Sequence, residues 1–274
     1  MKKFLGSILL LVSCKVFAGT EVQNRLNILG ANLEASSDDF IYNQYYQIHD
    51  DPRLQFYNLL SLDVVSEQFP RPAEPYNRDK HFGGWLVDTS GKSCMNTRAF
   101  VLVRDSVTPV KMTANNCTVA TGTWNDPYTG QPHLTAASIQ IDHVVALKNA
   151  YMTGGHQWNA AKRCLYANYM GNNFHLLSVD GPQNLKKSDH TPQKYTPPNK
   201  AFVCEFLKDW LNIKLIWSLR ITPPEGEAIS SLAAKNNCDP EKFMVPNAEI
   251  QAQRQYMSDN ADLCSRAGLA IQRF

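Results

Sequence analysis

"SIQIDHVVALKNAY", Ser138 to Tyr151, decides how this chain is read. Ile139 and Ile141 alternate with polar residues as in a half-buried strand. The strand then ends in Asp142 and His143, and "VVALKN" changes to helical spacing, so a helix is expected from Val144 to Met152, stopped by Gly154 and Gly155. Neighbours on a regular strand point to opposite faces. A carboxylate and an imidazole placed this way can serve one reaction only where the strand is ending or twisting.

The next segments supply a possible third part. "HLLSV", His175 to Val179, reads as a short strand broken by Asp180-Gly181-Pro182, and "QNLKKSDH", Gln183 to His190, reads as a helix carrying Asn184 and Lys187. Hydrolysis of a phosphodiester needs a base for water, a divalent cation for the developing charge and oxygen ligands for that cation. His143 can be the base. Asp142 and the amide oxygen of Asn184 are hard ligands suited to Mg²⁺, or to Mn²⁺, and Mg²⁺ takes few protein groups and keeps several waters. Each assignment has a plainer counterpart: a lone histidine is more often structural, Asp142 can simply orient His143, and Asn184 can simply cap a helix.

The charge distribution points the same way. Residues 19–142 hold nine basic against fourteen acidic side chains, residues 143–220 ten against four, and residues 221–274 five against seven. Positive charge is therefore concentrated in one block directly after Asp142-His143. Such a block is either a solvated face or a surface for a polyanion.

The N-terminus reads as an export signal, with Lys2 and Lys3, an apolar run from Phe4 to Val12 and small residues before Gly19, giving a signal over residues 1–18. That run is too short to span a membrane. "LVSC", Leu11 to Cys14, offers the alternative of a lipoprotein anchored through Cys14. The expected location is the periplasm or the extracellular space. Beyond Cys14 six cysteines remain, an even number suited to an oxidising compartment. Six allow 15 pairings. Sequence proximity favours Cys94 with Cys117 and Cys204 with Cys238, which leaves Cys164 with Cys264. The chain has no CxxC pair, which disfavours a thiolate zinc knuckle.

Elsewhere, residues 19–75 read as a helical N-terminal segment closing on the linker "PRPAEP", residues 76–140 as short strands and turns, "CEFLKDWLNIKLIWSL" from Cys204 as an amphipathic helix with a core stripe, and the tail from Pro223 as two more helices. The five tryptophans are expected in the core.

"IDHVVAL", "HLLSV" and "NLKKSD" together resemble the three parts of an HNH, or His-Me finger, nuclease. The flanks "YNRDKHFGGWLVDTSGKSCMNTRAFVLVRDS", "GTWNDPYTG" and "AYMTGGHQWNAAKRCLYAN" extend the likeness to the secreted bacterial HNH endonuclease-like family, over about Tyr76 to Cys238. The resemblance implies an α+β fold, a ββα-metal (HNH) core with surrounding helices over residues 76–274. It casts His143 as the general base, Asp142 and Asn184 as ligands of Mg²⁺, and Lys187 as a basic residue near the phosphate. His175 stands where many such enzymes have Asn, either holding the His143 loop or acting only as a strand residue. Arg163 either touches phosphate or pairs with a carboxylate. The implied activity is metal-dependent cleavage of DNA, with RNA as the alternative polymer, with little sequence specificity and with 5′-phosphate and 3′-hydroxyl products. Two other function classes remain open: an inactive nucleic-acid- or envelope-binding protein on the same fold, and a phosphodiesterase for small substrates.

Overall fold

Short polar residues set the ends of the elements around the Asp142-His143 strand. In this computed structural model, which describes residues 71–88, 93–243 and 245–266, the side chains of Asn77, Asn96, Asn159 and Asp180 accept from the backbone N–H groups of Lys80, Ala99, Lys162 and Gln183. Each thereby caps orphan donors at a helix start. The helices so begun are α1 (Arg78–His81), α2 (Thr97–Asp105), α4 (Ala160–Ala167) and α5 (Gly181–Lys187), with α3 (Leu147–Met152) between the first and second pairs.

The chain is a mixed helix and strand structure with two small antiparallel sheets. Strands β1 (Lys111–Met112), β2 (Val119–Asn125) and β3 (Pro132–Thr135) form one, in the order β1-β2-β3. Strands β4 (Ile139–His143) and β5 (Leu176–Asp180) form the other, in a register that sets Ile139 against Asp180 and His143 against Leu176. Chain order alone then puts α5 directly after β5, and α5 packs on both strands of the pair.

Helix α2 fastens this pair from the side. Arg104 donates to Leu176 O at 2.5 Å and to Asn172 O at 3.2 Å, while Asp105 Oδ2 accepts from Ser178 N at 3.0 Å. Val101 and Leu102 of the same helix enter a small core with Trp124, Ile139 and Leu176. The sequence reading expected only strands and turns over residues 76–140, so α2 is a correction. "AFVLV" is rich in β-branched residues, but the Asn96 cap and one inward apolar face hold it helical.

The main core lies around α6 (Val203–Ile216), where Val203, Phe206, Leu207, Trp210, Leu211 and Ile213 are fully buried. Truncating one such leucine to alanine typically costs about 2–5 kcal/mol. Burial extends to polar residues as well: Lys214 Nζ is satisfied inside by Asn149 Oδ1 at 2.6 Å, Arg220 O at 2.7 Å and Glu225 at 3.2 Å. Among the described residues the tail holds three α-helices rather than two: α7 (Pro223–Lys235), α8 (Asn247–Asp259) and α9 (Leu263–Arg266). Asn260 interrupts what reads as one helix, ending α8 as its C-cap.

Three disulfides join these parts: Cys94–Cys117, Cys164–Cys264 and Cys204–Cys238, the same pairs that sequence separation favoured. The second ties α4 to α9. Trp124, Trp158, Trp210 and Trp217 are core residues as expected, whereas Trp85 is only half-buried. The signal over residues 1–18, Cys14 and the helical segment expected up to residue 70 lie outside the described residues. Residues 71–75, the end of that segment, are not helical.

Candidate active site

The end of β4 opens into a cleft of about 570 Å³. Arg78, Asp142, His143, Lys148, Asn184 and Asp189 are among its lining residues, so three residues distant in sequence from one another (Arg78, His143 and Asn184) meet there. Asp142 and His143 come from the strand end, Asn184 from α5, Arg78 from α1 and Lys148 from α3.

The last turn of α4 holds His143. The final four carbonyls of a helix lack partners within it, and here each finds one outside. Asn168 takes two of them, giving Nδ2–H to Cys164 O at 3.1 Å and its backbone N–H to Leu165 O at 3.1 Å. His175 Nε2 lies 2.8 Å from Tyr166 O and His143 Nε2 lies 2.9 Å from Ala167 O. A carbonyl can only accept, so both imidazoles carry their proton on Nε2. For His143 that leaves a lone pair on Nδ1, which has no hydrogen-bond partner and is not sealed from solvent among the described residues. The Trp85 indole stacks on the imidazole, with centroids 5.3 Å apart and planes 2° from parallel. Burial, with a contribution from His175, pushes the His143 imidazole well below its usual range and keeps it neutral.

Asp142 is clamped from two sides. Lys187 Nζ donates to Asp142 Oδ1 at 2.8 Å and to His143 O at 2.9 Å, and Tyr128 Oη donates to Asp142 Oδ2 at 2.5 Å. Both donors are fully buried. Burial pushes the Asp142 carboxyl up from its ordinary value, against the pull of the Lys187 ammonium and the Tyr128 hydroxyl. Asn184 Nδ2 donates to Gln140 Oε1 at 2.9 Å, which turns its amide and leaves Oδ1 without a partner in the cleft wall.

Two expectations need correction. Lys187 is not a free cation waiting for phosphate; its side chain is wholly buried and committed to Asp142 and the His143 carbonyl. Arg163 lies outside the cleft lining and gives its guanidinium to the carbonyls of His81, at 3.0 Å, and Trp158. His175 reads from sequence as either a support for the His143 loop or only a strand residue; its ring is packed edge-on against Tyr166 and Tyr169, and burial pushes it down to about 3. Its main chain does steady the strand end, since His175 O accepts from Val144 N at 3.2 Å.

Sequence reasoning missed Arg78, Trp85 and Tyr128. All three sit inside stretches quoted for the resemblance, "YNRDKHFGGW" and "GTWNDPYTG", yet no spacing rule connects them to His143. Only the fold brings them within reach.

An uncharacterized secreted protein of the fungus Arthroderma benhamiae is 34% identical over 181 residues, which cover 66% of this chain and 83% of that protein. The chain belongs to that protein's family. Residues 106–232 also match the family described as GmrSD restriction endonucleases, C-terminal domain, a nuclease family. That span contains Asp142, His143 and Asn184 but not Arg78 or Trp85. No solved structure matches the chain. The relative of this family is fungal, so the match does not carry the bacterial origin that the resemblance implied.

Proposed function

We propose that this protein is an exported, metal-dependent endonuclease of the HNH type, with a ββα-metal core made of β4, β5 and α5, acting on DNA, with RNA as the alternative polymer. One observation carries the reading above the others. His143 has its proton held on Nε2 by Ala167 O, its Nδ1 is left without a partner and unsealed, and the residue lines a cleft shared with Asp142 and Asn184. A binding protein has no need for an oriented, neutral imidazole beside two hard oxygen ligands.

Among the described residues no group of three or more His, Cys, Asp or Glu is placed to enclose a metal. The donor set present is one carboxylate and one amide oxygen, which fits Mg²⁺ held by few protein groups with water and phosphate completing its shell. Asp142 and Asn184 would hold it. When bound, the cation supplies positive charge at the scissile phosphate and the leaving oxygen.

The chain's own residues do the rest. His143 Nδ1 accepts a proton from water as the water oxygen attacks phosphorus, the P–O3′ bond breaks, and the 3′ oxygen takes a proton from solvent. The products are a 5′-phosphate and a 3′-hydroxyl. Ala167 O keeps the imidazole in the required tautomer and orientation, and Trp85 limits its tilt. Lys187 ties the Asp142 carboxylate to the His143 main chain, so that ligand and base keep a fixed separation.

Export is supported by the three disulfides, by the signal-like N-terminus and by the secreted relative. Among the described residues no helix is long and apolar enough to cross a membrane. The test is cleavage of plasmid DNA and of RNA by the oxidised protein with Mg²⁺ and with EDTA, alongside His143→Ala. Mg²⁺-dependent cleavage lost on substitution is expected; binding without cleavage, by folded protein, would point to a nucleic-acid- or envelope-binding role instead.

A further inference from the structure

The cleft brings three cationic side chains near the proposed site, and two of them are already spent. Lys187 is buried against Asp142. Lys148 Nζ lies 2.6 Å from Asp189 Oδ2. Arg78 differs from both. It is exposed, lines the same cleft, and its guanidinium has no carboxylate or hydrogen-bond partner among the described residues. What it does have is an aromatic neighbour: Cζ lies over the Trp85 ring, 6.0 Å from the centroid. The same indole stacks on His143. One ring therefore lies against both an unspent guanidinium and the proposed base.

We propose that Arg78 is a catalytic residue that binds the non-bridging oxygens of the scissile phosphodiester, with Trp85 as the positioning residue that presents it beside His143. The proposal deepens the nuclease reading and rests on it. A guanidinium offers a planar fork that meets two phosphate oxygens at once, which a lysine ammonium cannot do. An arginine lying on an aromatic face is held without losing its N–H donors, since the ring contacts its plane and leaves the edge free. No carboxylate has to be displaced before phosphate binds, in contrast to Lys148, whose partner Asp189 would first have to give way.

The experiment compares wild type, Arg78→Ala and Arg78→Lys in two assays. Cleavage of duplex DNA with Mg²⁺ gives kcat/KM, and binding of a short uncleaved duplex in EDTA, measured across salt concentrations on a His143→Ala background, gives the number of phosphate contacts. Arg78→Ala is expected to lower kcat/KM about 10- to 100-fold, the range for losing a charged hydrogen bond, with Arg78→Lys recovering only part. The slope of log affinity against log salt is expected to shrink by about 0.9, the value for one phosphate contact on duplex DNA. Because Arg78 is exposed, circular dichroism of both variants should match wild type. Normal cleavage and an unchanged slope in Arg78→Ala would overturn the proposal while leaving the nuclease reading intact. A wild type that cleaves nothing would overturn that reading, and the salt slope alone would then decide whether Arg78 contacts phosphate.

Discussion

His143 and His175 make the same bond to the same helix end and differ in everything around the other nitrogen. Each donates Nε2–H to a last-turn carbonyl of α4, Ala167 O in one case and Tyr166 O in the other. Nδ1 of His175 is sealed without a partner in a box of aromatic rings that includes Tyr166, Tyr169 and Trp217. Nδ1 of His143 has no partner but is not sealed, and the residue lines the cleft with Asp142 and Asn184. The shared bond sets the tautomer, so it cannot by itself mark a reactive group. Access at the second nitrogen distinguishes an imidazole that can take a proton from one that can only pack.

The largest effect expected from breaking this arrangement is at Lys187, which belongs to the cleft side alone. Lys187→Met leaves Asp142 buried with one hydrogen bond and no countercharge, and removal of one partner from such a pair typically costs about 3–5 kcal/mol. Urea denaturation should show that loss together with a fall in cleavage. A variant as stable as wild type would mean that Asp142 is held by other groups.

A somewhat smaller loss is expected where both histidines depend on one support. The Cys164–Cys264 bond, closing a sequence separation of 100, anchors the helix whose carbonyls hold them. Replacing both cysteines with alanine should cost about 2–5 kcal/mol and should weaken cleavage as α4 loosens. Unchanged melting would show that packing alone fixes α4.

The smallest effect separates the core histidine by pH. Burial holds His175 at about 3 in the folded chain against an ordinary value of 6.5. The unfolded chain therefore takes up this proton first as pH falls, so the contribution is complete above pH 6.5 and erodes between 6.5 and about 3. The slope approaches 1.4 kcal/mol per pH unit, or about 2 kcal/mol by pH 5. Denaturation of wild type and His175→Gln at pH 7 and pH 5 should show a smaller acid loss in the variant; equal losses would place the acid sensitivity elsewhere.

Much of the candidate site around Asp142 and His143 could be read from the chain. A period-2 run ending in Asp142-His143, a second short strand broken by Asp180-Gly181-Pro182, and a helix after that break are local signals, and each element falls within a few residues of where those signals place it. The rest depended on contacts between distant residues. Lys187 reads as a surface cation because nothing in "NLKKSD" says which of two adjacent lysines turns inward, and the fold buries Lys187 while leaving Lys186 exposed. Helix α4, whose carbonyls orient His143, sits in "NAAKRCLYAN", too short and too mixed in polarity to stand out by periodicity. Trp85 reads as core because most tryptophans are, yet its neighbour across the stack is 58 residues away in sequence.

The most direct test of the central claim sets the two imidazoles against each other. Cleavage of plasmid DNA with Mg²⁺ should be measured for His143→Ala and His175→Gln, each verified as folded and disulfide-bonded. The account predicts a loss of about 10²- to 10⁴-fold for His143→Ala, the range for removing a general base, and a much smaller change for His175→Gln. Retained cleavage in His143→Ala, or an equal loss in both, would contradict it.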